Sequence, residues 1–240
     1  MTDRLDLDEF VREQYAAPDN LRARKDAYVD AEGDDPREFL FSAIAAEQPQ
    51  RVLEVGGGEG ELAARVIAEL GADVVGLDQS EAMVQIQRAK GIDARVGDVR
   101  DLPFADEEFD VAVAAWMLYH VADLDRALAE LARVVKSGGA LIATTNSFTH
   151  LRELRELAGL GDRRWPLTFR SENGAEALLR YFVRVERRDA HGSVTMDDAT
   201  VRRFAGGSPW LTPLVTMPPL REPLRATTHA TVFVARKAAS

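Results

Sequence analysis

From Arg51 to Thr145 the chain alternates short apolar runs with longer stretches whose apolar residues recur every third or fourth position. Short apolar runs bounded by turn residues read as buried strands, and the periodic stretches as amphipathic helices. Arg51–Val55 is the first run. Glu61–Leu70 follows with helical spacing and ends before Gly71. Asp73–Leu77 is the second run, closing on Asp78, and Ser80 is a suitable N-cap for a helix through Lys90 that Gly91 stops. Ala94–Val96 and Phe109–Ala115 are the next two strands. Leu124–Val135 is a helix, Ser137-Gly138-Gly139 a tight turn and Ala140–Thr145 the fifth strand. Strands alternating with helices imply right-handed crossovers and a parallel sheet.

The ends are patterned differently. Leu7–Tyr15, Leu21–Val29 and Arg37–Glu47 have helical spacing, separated by Pro18 and by Gly33-Asp34-Asp35-Pro36. Residues 148–180 also read as helical, with breaks at Gly159–Gly161 and Pro166. Phe182–Arg188 and Thr228–Ala235 read as strands. Between them an insertion of about residues 191–226 carries Pro209, Pro213, Pro218, Pro219 and Pro223. Such a stretch is a lid, a substrate wall or a plain surface excursion. The expectation is a single domain, residues 1–240, with a helical cover (1–50), a cofactor-binding core (51–146) and substrate-side elements with the last two strands (147–240).

Composition narrows this picture. With 240 residues and 46% hydrophobic content, the chain suits one α/β domain with some elaboration. No run approaches the roughly 20 apolar residues that a membrane helix needs. The acidic start MTDRLDLDEF has no apolar core and does not read as a signal peptide. The absence of cysteine excludes disulfides, thiolate-bound zinc and cysteine nucleophiles. A soluble, cytoplasmic protein is expected, with no membrane partner. A net charge of -10 argues against a nucleic-acid partner. Arg152, Arg155, Arg163, Arg164 and Arg170 lie close together in the second half. They read as solvated helix faces or as a site for an acidic small molecule.

The candidate chemistry begins where the first strand ends, in Val52-Leu53-Glu54-Val55-Gly56-Gly57-Gly58-Glu59-Gly60-Glu61-Leu62. Glycine tolerates positive φ and lets a ligand lie on the backbone, and the first N–H groups of the next helix face that ligand. The spacing excludes a G-x-G-x-x-G dinucleotide fingerprint, because the third glycine would fall on Glu61 or Ala63. No G-K-[ST] follows, so this is not a phosphate-cradling loop. A carboxylate at the helix start would also repel a pyrophosphate.

The run E-x-G-x-G-x-G at Glu54, Gly56, Gly58 and Gly60, with Gly57 inside it, resembles the cofactor motif of class I S-adenosylmethionine-dependent methyltransferases. A cationic cofactor without phosphate suits an acidic loop. The resemblance continues in order. Val75-Gly76-Leu77-Asp78-Gln79-Ser80-Glu81-Ala82-Met83 is similar to the family's second-strand motif, which implies ribose contacts from Asp78 and places Gln79 and Met83 at the cofactor. Val96-Gly97-Asp98-Val99-Arg100-Asp101-Leu102-Pro103-Phe104 resembles the segment beside the adenine, which implies contacts from Asp98 and Val99. Ala115 and Trp116 end the fourth strand, where ligands bind in such sheets; Trp116 reads either as a wall beside the methionine part of the cofactor or as a core residue. Tyr15 and Arg24 lie in a segment that resembles the helical cover of this group. Tyr15 would line the site, and Arg24 would meet the cofactor carboxylate or lie on a solvated helix face.

The resemblance implies a doubly wound, Rossmann-like, mostly parallel seven-stranded sheet with helices on both faces and an antiparallel last strand. It also implies S-adenosyl-L-methionine as cofactor and S-adenosyl-L-homocysteine as product. The [N/D]-P-P-[Y/F] motif of amide- and base-methylating enzymes is absent; Ala115-Trp116-Met117-Leu118-Tyr119-His120 stands there. The chain is instead similar to methyltransferase type 11, the small-molecule group of the ubiquinone and menaquinone biosynthesis enzymes. Leu118-Tyr119-His120-Val121 matches its x-L-x-H-V pattern. His120 is the candidate general base, with an ordinary pKa suited to neutral-pH proton transfer; the other reading is a helix-capping or backbone-binding histidine. The implied reaction moves a methyl group to an O, N or C nucleophile of a small molecule. A non-catalytic, cofactor-binding regulatory protein is the alternative. A nicotinamide-dependent dehydrogenase is disfavoured by the glycine spacing and the missing Tyr-x-x-x-Lys pair. His150, His191 and His229 show no metal-ligand spacing, so no metal site is predicted. A monomer or homodimer is expected.

Overall fold

The computed structural model describes residues 26–161, 168–206 and 211–239. Its strands are β1 (Glu32–Gly33), β2 (Arg51–Val55), β3 (Asp73–Asp78), β4 (Asp93–Val96), β5 (Phe109–Ala115), β6 (Val135–Asn146), β7 (Arg184–Met196) and β8 (Leu224–Arg236). They form one eight-stranded sheet in the order β1-β7-β8-β6-β5-β2-β3-β4. The ladders among β2, β3, β4, β5 and β6 are parallel. β8 is antiparallel to both β6 and β7, and β1 to β7. From β2 the chain winds outward through β3 to β4, then returns to β5 on the other side. The reversal opens a crevice at the carboxyl ends of β2 and β5.

The described helices are α1 (Pro36–Ala46), α2 (Glu61–Leu70), α3 (Glu81–Ala89), α4 (Leu124–Val134), α5 (Arg152–Leu157), α6 (Gly174–Leu178), α7 (Asp198–Gly206) and α8 (Thr212–Thr216), with a 3-10 turn at Leu118–His120. Strand residues alternate between two cores because successive side chains point to opposite faces. Leu53, Leu77 and Ala112 join Leu128 and Leu131 of α4 and Phe169 on one face. Val52, Val74 and Val111 meet Leu40 and Ile44 of α1 and Val66 of α2 on the other. Fully burying a Leu or Ile side chain contributes about 1.5–3 kcal/mol, so these two layers supply the main hold on the sheet.

Four expectations change. The sheet has eight strands rather than seven, because Glu32–Gly33 adds an edge to β7; two residues are too few to show any period. Ser137-Gly138-Gly139 is strand rather than turn, since the C-terminal segment supplies partners: Gly138 N–H donates to Ala238 O and Lys237 N–H to Gly139 O. β8 extends past Thr228–Ala235 at both ends, and β7 starts at Arg184, two residues later than expected, but runs on to Met196. Residues 191–196 and 224–226 therefore belong to a long hairpin rather than to an insertion. Of the expected helix Leu21–Val29, the described part passes into a turn over Ala27–Asp30. Leu7–Tyr15 lies outside the described residues.

The hairpin continues past the pair Asn146↔Ala230, where β6 ends, and so stands above the carboxyl edge of the sheet. There it carries a third core. Leu151 and Leu154 from the α5 side, Val194 and Met196 of β7, and Val201 and Ala205 of α7 pack together with Leu214 and Ala226. The segment between β7 and β8 is thus a packed cap rather than a plain surface excursion.

Candidate functional site

Gly56, Gly58 and Gly60 have φ of 65°, 54° and 74°, in the left-handed region that favours glycine. The loop they form is fixed from β3 and α3. Gly56 N–H donates to Leu77 O at 2.7 Å. Gly58 N–H donates to Asp78 Oδ2 at 3.2 Å, and Gly58 O accepts from Gln87 Nε2 at 2.8 Å. Lys90 Nζ donates to Glu59 O at 2.7 Å. Gly57 leaves room for the buried Glu54, whose carboxylate carbon would lie 2.7 Å from a Cβ there. Glu54 and Glu59 are both buried. With Asp78 they give the loop a negative field, which opposes a phosphate and favours a cation.

Asp78 ends β3 part-buried, and its Oδ1 accepts from Ser80 N–H at 2.9 Å. Burial raises its pKa, and backbone hydrogen bonds from Ser80, Gly58 and Gln79 offset only part of that rise. Gln79 is exposed and Met83 buried at the start of α3, whose N-cap is Ser80 as expected. Beyond β4, Asp98 accepts from Arg100 Nη2 at 2.6 Å and from Arg100 N–H at 2.8 Å. Burial works to raise the Asp98 pKa, but the Arg100 bonds and charge outweigh it and hold the carboxyl below its usual value. The Val99 side chain is buried in the core. A cleft of about 350 Å³ lies here, lined by Asp98, Arg100, Asp101, Asp123 and Arg126.

At the end of β5, half-buried Ala115 leads into Trp116, which has φ of 53°. A left-handed conformation costs a non-glycine residue roughly 1–2 kcal/mol. Hydrogen bonds hold it: Trp116 N–H donates to Thr144 O at 2.9 Å, and its indole Nε1 donates to Asn146 Oδ1 at 3.0 Å. His120 is half-buried on the 3-10 turn, its ring centroid 4.3 Å from that of Tyr119. Thr168 Oγ1 donates to Leu118 O and Val121 O, at 3.2 and 3.1 Å, and pins that turn.

The fold therefore gathers Glu54, the glycine loop, Asp78, Asp98, Ala115, Trp116 and His120 at or beyond the carboxyl ends of neighbouring parallel strands. Tyr15 and Arg24 lie outside the described residues, as do Arg163 and Arg164. Arg155 bonds the carbonyls of His150 and Phe148, so it supports the backbone. Arg152 pairs with Glu156 at 3.4 Å on a solvated helix face.

Sequence reading missed Gln87 and Lys90, which brace the loop from α3, and Arg100, which holds Asp98. One signal was present. Gly76 sits inside β3, and glycine in a strand often marks a close approach. Gln87 Oε1 lies 2.1 Å from where a Gly76 Cβ would stand. Gln87 is fully buried. Gln87→Ala removes the bond to Gly58 O and is expected to cost about 1–3 kcal/mol. In a chain of this size that lowers the melting temperature by roughly 3–10 °C. Thermal denaturation followed by circular dichroism checks it; an unchanged melting temperature would show that the brace carries no stability.

A family model described as a methyltransferase domain matches residues 53–143. The match runs from β2 into β6 and takes in the glycine loop, Asp78, Asp98, Trp116 and His120. β7, β8 and the cap lie beyond it. The chain is 39% identical over 116 residues to the demethylmenaquinone methyltransferase of Renibacterium salmoninarum, covering 48% of each chain. It is 36% identical over 115 residues to the ubiquinone/menaquinone biosynthesis C-methyltransferase UbiE of Dinoroseobacter shibae, covering 44% of this chain and 46% of that one. The chain thus spans about half the length of the curated relatives it matches. Among solved structures, the YcgJ protein of Bacillus subtilis superposes with a TM-score of 0.62 at 17% identity, over 85% of this chain and 100% of that one. The [4+2]-cyclase SpnF superposes at 0.60 and 22% identity, over 85% and 81%. These likenesses establish the Rossmann-like fold around the matched segment. Among the described residues, no helix is long and apolar enough to cross a membrane.

Proposed function

We propose that the protein transfers a methyl group from S-adenosyl-L-methionine to an O, N or C nucleophile of a small molecule, releasing S-adenosyl-L-homocysteine. The observation that carries this reading is the meeting of Asp78 with the glycine loop. A half-buried carboxylate at one strand end reaches the N–H of Gly58 at the next, at 3.2 Å, among buried glutamates that disfavour phosphate. The chain's residues fit that cofactor. Glu54 with Gly56, Gly57, Gly58 and Gly60 would hold the methionine and ribose side, and Asp78 would accept the ribose hydroxyls. Asp98 and the Val99 backbone would meet the adenine, with Gln79 and Met83 beside the ribose. Ala115 and the strained Trp116 would wall the methyl; strain of this kind clusters at functional positions. Tyr15 and Arg24 belong to the proposed site by resemblance alone.

When bound, the cofactor supplies a methyl group already activated by its sulfonium charge. The chain's task is then to hold an acceptor at near-attack distance, exclude water and, for a protonated nucleophile, take up a proton. His120 is assigned that last role. The cap, which lies outside the methyltransferase match, would shape the acceptor side. The names of the relatives make quinols the first acceptor class to try. The net charge of -10 supports a small-molecule rather than a nucleic-acid acceptor, and the proposal extends to a cytoplasmic monomer or homodimer with no membrane partner.

The test is transfer of a labelled methyl group to panels of quinols, phenols, amines and carboxylates, with mass spectrometry of products. Because one protein of this fold is named as a cyclase, turnover rather than binding decides. Label in one acceptor class is expected. Tight cofactor binding with no labelled product in any class would favour the non-catalytic alternative. With the acceptor in hand, His120→Ala is expected to lower kcat by about 100-fold or more if the acceptor must lose a proton, with S-adenosylhomocysteine affinity unchanged in calorimetry. An unchanged kcat removes His120 from the mechanism.

A further inference from the structure

In the antiparallel ladder of β7 and β8, His191 stands directly opposite His229, and Asp189 opposite Thr231. Side chains two apart on a strand share a face. The register therefore brings Asp189, His191 and His229 together, with one ligand atom from each within 4.8 Å of the others. The histidine rings lie 4.2 Å apart, and His229 Nε2 is 3.2 Å from Asp189 Oδ1. Ligand atoms at about 2.1 Å from a metal stand about 3.0 Å apart at octahedral angles and about 3.4 Å apart at tetrahedral ones. The His229–Asp189 spacing falls between those values before any metal is added.

The surroundings are those of ligands held in place. A metal-bound imidazole usually engages a partner through its other nitrogen, which fixes its tautomer. His229 Nδ1 lies 3.2 Å from Thr149 Oγ1, and its backbone N–H donates to His150 Nδ1 at 3.1 Å. The Asp189 carboxylate accepts from Thr231 Oγ1 and from Arg187, whose Nη2 lies 2.8 Å away. The Arg187 charge opposes a cation, and Glu172, which also acts on Arg187, partly balances it. Exposed His191 leaves the cluster open to solvent.

We propose that Asp189, His191 and His229 form a binding site for a first-row divalent metal, at the base of the cap where the hairpin leaves the sheet. Two imidazoles and one carboxylate suit zinc, cobalt or nickel rather than magnesium or calcium. The expectation of no metal site rested on spacing along the chain. This site draws its ligands from two strands far apart in sequence, so no local pattern could announce it.

The test uses the full chain without an affinity tag, stripped by chelator dialysis. Co²⁺ is titrated by visible absorption and Zn²⁺ by calorimetry, on the wild type and on His191→Ala and His229→Ala. Binding of one equivalent per chain is expected, weakened at least about tenfold in each variant, the size of loss that follows even from removing a metal-site support. The exposed position of His191 makes His191→Ala safe for folding, so it decides if His229→Ala does not fold. No one-equivalent binding in the wild type, or a titration unchanged in His191→Ala, overturns the proposal.

Discussion

Replacing Gly58 with valine is expected to abolish cofactor binding while leaving the chain folded. Gly58 has φ of 54°, where a β-branched residue bears a cost of about 1–2 kcal/mol. Its N–H and C=O are both used, by Asp78 and by Gln87, so the backbone cannot relax without releasing the loop. In the proposed site the new side chain would also stand where the cofactor lies. Together these effects are expected to weaken S-adenosylhomocysteine binding by about 4 kcal/mol or more, roughly a thousandfold. Calorimetric titration of the folded variant measures it. Affinity within a few-fold of the wild type would show that the loop is not the cradle.

The second large effect concerns Asp78. Burial raises its pKa in the folded chain. The folded state then holds that proton more tightly than the unfolded state does. The contribution of Asp78 favours folding at low pH and is lost as pH rises through the window from its unfolded to its folded pKa. At neutral pH the ionised group is thus a burden on stability. Asp78→Asn is expected to leave the melting temperature at pH 7 equal or higher. In the proposed site the same change would remove an ionised acceptor from the ribose hydroxyls, a loss of about 1.5–3 kcal/mol, or roughly 10- to 150-fold in affinity. Wild-type affinity should fall as pH drops through the raised Asp78 pKa, above the range of an ordinary aspartate, and Asp78→Asn should lack that step. The same pH dependence in both proteins would assign it to another group.

Much of this arrangement was legible before the structure. β2, β3, β5 and the second half of β6 are runs buried on both faces, and the glycine loop and Asp78 fall at strand ends where the parallel topology gathers them. The failures have physical causes. β7 carries Glu186, Arg187, Arg188 and Asp189, which are exposed or only part-buried, so no apolar run marks its length. Gly138 and Gly139 look like a turn, yet the C-terminal segment pairs with them. Gln87 and Lys90 look like ordinary polar residues on a helix; only the close approach of α3 to Gly76 turns Gln87 toward the loop. The His–Asp cluster depends on a register of paired residues, Asp189 to Thr231 and His191 to His229, that the sequence does not state.

The glycine loop and Asp78 are proposed to hold S-adenosylmethionine. A crystal structure of the full chain with S-adenosylhomocysteine tests this most directly. The expected result places the ligand along Gly56–Gly60, with both ribose oxygens within hydrogen-bond distance of Asp78 and the adenine beside Asp98 and Val99. A ligand bound elsewhere on the chain, with the loop empty at saturating concentration, would contradict it.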